Sequence, residues 1–236
     1  MTRTADMDDP KQTLVVCDPN LEMEVRARFP ASAEGLDCFV WRRGDWQGRR
    51  HLQALLRSRR WDLLFSVYND YIFTAEDLAC CRFSLNFHPA LPDWPGVGYD
   101  ILPLIHRAEE HGATLHRMTA RIDNGPVYHC ERRSLPRGWN YSQLRRANQL
   151  LLLSQFQRFL VGWLQSEDLA AFEAELRCLG ESAPAWSTAY CSRGRLRRLL
   201  RETWKAEPDL ARRLELPRDL NPPSHFHAPA RLCKSV

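Results

Sequence analysis

Residues 61–98 read WDLLFSVYNDYIFTAEDLACCRFSLNFHPALPDWPGVG, and the fold turns on this stretch. It opens on an apolar run, Trp61-Asp-Leu-Leu-Phe-Ser-Val67, and meets a second run at Phe83-Ser-Leu-Asn-Phe-His88. Short apolar runs bounded by turn residues have the character of strands buried on both faces. The next ten residues, Pro89 to Gly98, hold three prolines and two glycines, the composition of a rigid loop. Upstream, Thr13-Leu-Val-Val-Cys-Asp18 and Leu36–Trp41 repeat the strand texture. Pro19-Asn20 opens a helix through about Phe29, and helical spacing in Trp46–Arg60 puts Leu52, Leu55 and Leu56 on one face. Strands alternating with helices predict an α/β fold, a parallel sheet covered by helices on both faces.

Downstream, the pattern predicts a helix from Tyr99 to about His111, stopped by Gly112, and a strand over Ala113–Ala120. Asp123-Asn-Gly-Pro126 is a tight turn before a strand over Val127–Arg132. Asn140–Gln165 is the longest helix candidate, and Glu167 to Leu179 is a second. After a short linker at Glu181–Pro184 come a strand candidate near Trp186–Cys191, an Arg-rich helix and a Pro-rich end. The expected division is a main domain over 1–180 and a short helical or irregular extension over 181–236, which packs on the core or dimerises with it.

Composition narrows the function classes. The chain has 236 residues, 44% hydrophobic and 26% charged, with eight Trp, ten Phe and six Tyr, which excludes disorder of the whole. No apolar run approaches the ~18 residues of a spanning helix, so a membrane is not an expected partner. The opening MTRTADMDDPKQ lacks the apolar core of a secretory signal, and a cytoplasmic location is expected. The eight cysteines form no C-x-x-C pair, so buried free thiols are expected rather than disulfides or a metal site. Net charge is +4 and uneven: Ser187–Val236 holds eleven basic and five acidic residues. Arg193, Arg195, Arg197, Arg198 and Arg201 are either a solvated helix face or a site for an anionic substrate. Nucleic acid is not an expected partner, because only Tyr190 and Trp204 interleave these arginines.

Three residues carry candidate chemistry. Period-two alternation sets Asn86 and His88 on one side of a strand, at its carboxyl end, where ligands bind in open α/β sheets. The amide can donate to a developing oxyanion and the imidazole can move a proton. Asp123, on a later turn, can orient or charge that imidazole. Singly, each is an ordinary strand, capping or turn residue.

Together they resemble a family. Residues 86–98, NFHPALPDWPGVG, and 112–128, GATLHRMTARIDNGPVY, are similar to the 10-formyltetrahydrofolate-dependent formyltransferases. The shared elements are Asn86/His88, Leu91-Pro92 with Gly96, Gly112-Ala-Thr114 and Asp123-Asn-Gly125. The resemblance implies a Rossmann-like, mostly parallel sheet and a catalytic triad of Asn86, His88 and Asp123. It implies 10-formyltetrahydrofolate as co-substrate and no metal. The cofactor-binding stretch falls on Asp70, Tyr71, Ile72 and Phe73, with Leu91 and Pro92 as the second wall.

Within the family, Cys17-Asp-Pro-Asn-Leu21 stands where the glycinamide ribonucleotide enzymes carry a Gly-rich phosphate loop. The His88–Gly98 loop is most similar to that of the amino-sugar N-formyltransferases. The expected function is therefore formyl transfer to a primary amine of a small molecule, foremost a nucleotide-linked amino sugar. The alternatives are a non-sugar amine acceptor and hydrolysis of the co-substrate to formate.

Overall fold

The computed structural model describes residues 10–31 and 34–217. Its centre is a six-stranded sheet ordered β2-β1-β3-β4-β5-β6. The strands are β1 (Thr13–Cys17), β2 (Leu36–Val40), β3 (Trp61–Val67), β4 (Cys81–His88), β5 (Glu110–Arg117) and β6 (Val127–Ser134). β1 pairs in parallel with β2 and β3, and β3 with β4; β5 and β6 add antiparallel. This is the expected mostly parallel, Rossmann-like α/β sheet. β1 is buried throughout, and β3 everywhere except at Asp62, which is why both read as continuous apolar runs.

Alternation along the strands builds two cores. Val15, Cys17, Leu63, Phe65, Val67, Phe83, Leu85 and Phe87 face α5 (Tyr141–Gln165) and α6 (Leu169–Gly180). Phe156 of α5 meets Phe29, Phe65 and Phe87 edge-on. Leu14, Val16 and Leu64 face the other way, onto Leu52 and Leu56 of α2 (Trp46–Ser58). Asn140 and Gln143 close a capping box on α5, and Asp45 caps α2. The two-faced sheet leaves Ser66, Asn86 and His88 together on the α2 side, above the carboxyl ends of the strands.

The structure corrects several expectations. The first helix, α1, covers only Glu22–Arg26. The helix expected over Tyr99–His111 shrinks to α4 (Leu102–Ile105), a single turn opened by Pro103 and ended by Arg107 at φ 53°. Ile101, Leu102 and Leu104 have helical spacing because they bury against the C-terminal segment, not because a long helix forms. Gly112 is not a helix stop. It lies inside β5, where a Cβ would sit 2.0 Å from the carbonyl oxygen of Glu131 on β6. The strand expected near Trp186–Cys191 is one bridge, Gly96 to Cys191.

Residues 181–217 add α7 (Arg193–Ala206) and α8 (Pro208–Arg213), whose Leu196, Leu200, Ala211, Leu214 and Leu216 pack on Ile101, Leu102, Leu104 and Leu144. The seven described cysteines are free, but only Cys17 and Cys191 are buried and Cys178 is exposed; Cys233 lies outside the described residues. Among the described residues no helix is long and apolar enough to cross a membrane.

The close approach of β5 and β6 at Gly112 is testable. Gly112→Ala forces the strands apart, and urea unfolding is expected to show a loss of about 1–3 kcal/mol. An unchanged midpoint would contradict this packing.

Candidate active site

Three neighbouring strands contribute one residue each to a cross-strand rung. Ser66 of β3 is in register with Asn86 of β4, and Asn86 with His116 of β5. The side chains bond along the rung. The Ser66 hydroxyl donates to Asn86 Oδ1 at 2.7 Å, and Asn86 Nδ2 lies 3.0 Å from His116 Nε2. Asn69 extends the chain by donating from Nδ2 to Ser66 Oγ at 2.8 Å, while its Oδ1 accepts the Tyr71 N–H at 3.0 Å.

This chain has one polarity. His116 Nδ1 is 2.9 Å from the Arg117 carbonyl, which can only accept, so Nδ1 carries the proton and Nε2 accepts from Asn86. Burial pushes the His116 pKa down to about 4, against the pull of Asp123, so the ring is neutral at neutral pH. The Asn86 amide is thereby fixed with its nitrogen toward His116. One of its two N–H groups is used on the rung; the second is available to a ligand.

Asp123 is the charge around which the site closes. It is 9% exposed and adopts φ 45°, a left-handed conformation that a short polar residue tolerates. Its Oδ2 accepts the Gly96 N–H at 2.8 Å and lies 3.7 Å from His88 Nδ1; its Oδ1 lies 3.6 Å from His116 Nε2. The opposite nitrogen of His88, Nε2, is 3.1 Å from the Trp94 carbonyl and donates to it. Gly96 sits at φ 92°, and a Cβ there would fall 2.3 Å from the Cys191 carbonyl oxygen, so no other residue fits this turn. Trp186 covers both imidazoles edge-on at 5.5 and 4.9 Å and is itself pinned by Nε1 donating to the Gly125 carbonyl at 2.8 Å.

A cavity of about 700 Å³ opens over this group, lined by Asn86, His88, His116 and Asp123. Asp70, Tyr71, Ile72 and Phe73 form one wall. Their side chains mostly hold the loop itself. Asp70 accepts from Trp41 Nε1 at 2.9 Å and pairs with Arg43. Tyr71 donates to Asp77 Oδ2 at 2.9 Å, and its ring contacts Phe73 and Trp41. Ile72 is left 54% exposed. The facing wall is Met118–Ile122, with Ile122 43% exposed. Leu91 and Pro92 do not line the cavity: Leu91 is buried under Gly112, and the Pro92 carbonyl accepts the Ser187 N–H. Of the Arg-rich helix, Arg193 lines the cavity, while Arg195 reaches the carbonyls of Ala189 and Tyr190.

Sequence reasoning missed His116 and Trp186. His116 was visible as an alternating polar residue in GATLHR, two positions after Thr114, but only the β4–β5 register sets it against Asn86. Trp186 arrives from a segment distant in sequence, and no local pattern announces it.

The depressed His116 pKa carries a stability cost in acid. The unfolded chain takes up this proton near pH 6.5 and the folded one near pH 4, so stability falls as pH drops across that window. Urea unfolding of the wild type and His116→Gln is expected to show a steeper loss for the wild type, by up to about 3 kcal/mol. Parallel curves would contradict a neutral buried ring.

No protein-family model matches the chain. Solved structures do. A 4-N formyltransferase from Francisella tularensis superposes with a TM-score of 0.59 at 14% identity, covering 81% of this chain and 81% of that one. An N-formyltransferase from Helicobacter canadensis, in complex with folinic acid and dTDP-3-aminofucose, gives a TM-score of 0.55 at 15% identity over 78% and 71%. A phosphoribosylglycinamide formyltransferase from Streptococcus pneumoniae TIGR4 gives 0.51 at 18% identity over 63% of this chain and 96% of its own. The chain has the Rossmann-like fold of these proteins.

Proposed function

We propose that the protein is an N-formyltransferase that moves a formyl group from 10-formyltetrahydrofolate to a primary amine, foremost that of a nucleotide-linked amino sugar. The observation that carries this reading is the convergence of Asn86, His88 and Asp123 on one cavity, with the amide's second N–H free to donate. The fold shared with formyltransferases supports it. So do Ile72 and Ile122, exposed residues in the cavity lining that offer apolar contact to a fused heterocycle.

The co-substrate supplies an amide-like formyl group with a nitrogen leaving group. The protein's part is positioning and charge. Asn86 Nδ2–H meets the negative charge that develops on the formyl oxygen as the amine nitrogen bonds to carbon. His88 takes the proton released by the amine at Nδ1, beside the Asp123 carboxylate, and returns it to the folate nitrogen as the carbon–nitrogen bond breaks. Proton count is then conserved between the two nitrogens. Asp123 keeps the imidazole oriented, and the Gly96 N–H keeps Asp123 in place.

The acceptor assignment is supported by Arg145, a cation on the cavity wall with no paired carboxylate among the described residues. A phosphate-bearing substrate is the chemistry such groups favour.

The test is incubation with 10-formyltetrahydrofolate and a panel of amines, followed by mass spectrometry for an acceptor that gains the mass of one carbon monoxide unit. Asn86→Ala is expected to lower kcat by ~10²–10³ and His88→Ala by ~10²–10⁴. Formate release without any formylated amine would favour the hydrolase. No product and no folate-dependent formate would overturn the catalytic reading, as would variants within severalfold of the parent.

A further inference from the structure

The deep end of the cavity holds a cation that the catalytic account does not use. Arg145, on the second turn of α5, is half-buried among Tyr68, Tyr141 and Asp100. Its guanidinium lies over the Tyr68 and Tyr141 rings, 5.7 and 5.9 Å from their centres. Nη1 donates to the Tyr141 hydroxyl at 2.7 Å. No carboxylate of the described residues comes within 4.0 Å of Arg145, and Nε and Nη2 make no hydrogen bond there. Asp100 is near enough to interact electrostatically but not to pair.

A half-buried guanidinium with an open edge and Asp100 as an unpaired neighbour is only partly compensated, because desolvation is best offset by a directly bound anion. A second group points the same way. The Tyr68 hydroxyl is buried, with its residue 6% exposed; Tyr99 and Gln149 are its polar neighbours, and neither makes a hydrogen bond of good geometry to it. Tyr68 also adopts φ 47°, a left-handed conformation that is uncommon outside glycine. Both side chains line the cavity. The other wall arginines differ: Arg43 is already paired with Asp70, and Arg193 lies near that pair at the cofactor-side wall.

We infer that Arg145 and Tyr68 form an anion subsite that seats the phosphate group of the amine acceptor. The inference rests on the transferase reading and gives its acceptor a specific anchor. Distance supports it. From Arg145 the path runs to the Tyr68 ring (5.7 Å), to Tyr99 (6.2 Å) and to His88 (5.7 Å). These steps link Arg145 to His88 along one lining of the same cavity, so an anion held at Arg145 and the reacting amine can belong to one extended molecule. The open guanidinium edge presents two parallel donors, the geometry that phosphate oxygens accept.

The test is a thermal-unfolding titration of the full chain with inorganic phosphate, in parallel with acetate. Phosphate is expected to stabilise the wild type. Arg145→Met should need at least about tenfold more phosphate for the same shift, and Arg145→Lys should recover part of the loss, because it keeps the charge without the fork. Tyr68→Phe, which removes one oxygen and little volume, should weaken the effect severalfold and serves if Arg145→Met fails to fold. Protection retained in both Arg145→Met and Tyr68→Phe would overturn the subsite, as would protection abolished by Arg193→Met alone. Protection by acetate and not by phosphate would overturn the phosphate assignment. The titration needs no folate and no turnover, so failure of the transferase assay and failure of this subsite are separate results.

Discussion

One buried carboxylate organises the site. Asp123 is 9% exposed, and its negative charge has to be answered within the protein. It is answered by the Gly96 N–H, which donates to Oδ2 at 2.8 Å, while His88 Nδ1 and His116 Nε2 stand beside it at 3.7 and 3.6 Å. Each contact fixes another part of the structure. The Gly96 contact holds the Pro/Gly loop, which in turn bridges to Cys191 of the C-terminal segment. The His88 contact sets which ring nitrogen faces the carboxylate, because the other one donates to Trp94. The His116 contact closes the rung from Ser66 through Asn86.

The two imidazoles are asymmetric, and the asymmetry has a chemical meaning. His116 spends Nδ1 on a backbone carbonyl and Nε2 on Asn86, and burial keeps it neutral. It is a positioning residue that orients the amide. His88 donates from Nε2 to the Trp94 carbonyl and leaves Nδ1 facing the carboxylate at 3.7 Å. Sheet topology makes this possible. Strand order switches at β1, with β2 added on one side and β3 then β4 on the other, and the loops after β1, β3 and β4 line the cavity at the carboxyl ends of these parallel strands.

Much of this was legible in the sequence. β1 and β3 stand out because strands buried on both faces read as continuous apolar runs, and β4 stands out by its alternation of Phe83, Leu85 and Phe87 with Ser84, Asn86 and His88. Asn86 and His88 fall on one face by period alone, and Asp123 is an ordinary turn residue whose place in a triad came from the family resemblance. Residues 99–112 misled because apolar spacing at Ile101, Leu102 and Leu104 serves the contact with α7 and α8. Gly112 reads as a helix stop, yet it answers a close approach between β5 and β6 that only pairing reveals. His116, Trp186 and the Arg145 cluster share the same obstacle. Each acquires its role from a partner far along the chain, which local pattern does not encode.

The account stands on the protonation pattern around Asp123, and histidine side-chain nitrogen NMR at about pH 7 reads it directly. The expected spectrum shows His116 as a neutral ring protonated at Nδ1, and His88 carrying a proton on Nε2. Replacing Asp123 with Asn should perturb both rings while leaving the backbone spectrum of the sheet in place. A His116 ring that is charged, or protonated at Nε2, would contradict the rung, because Asn86 could then no longer direct its amide nitrogen toward His116.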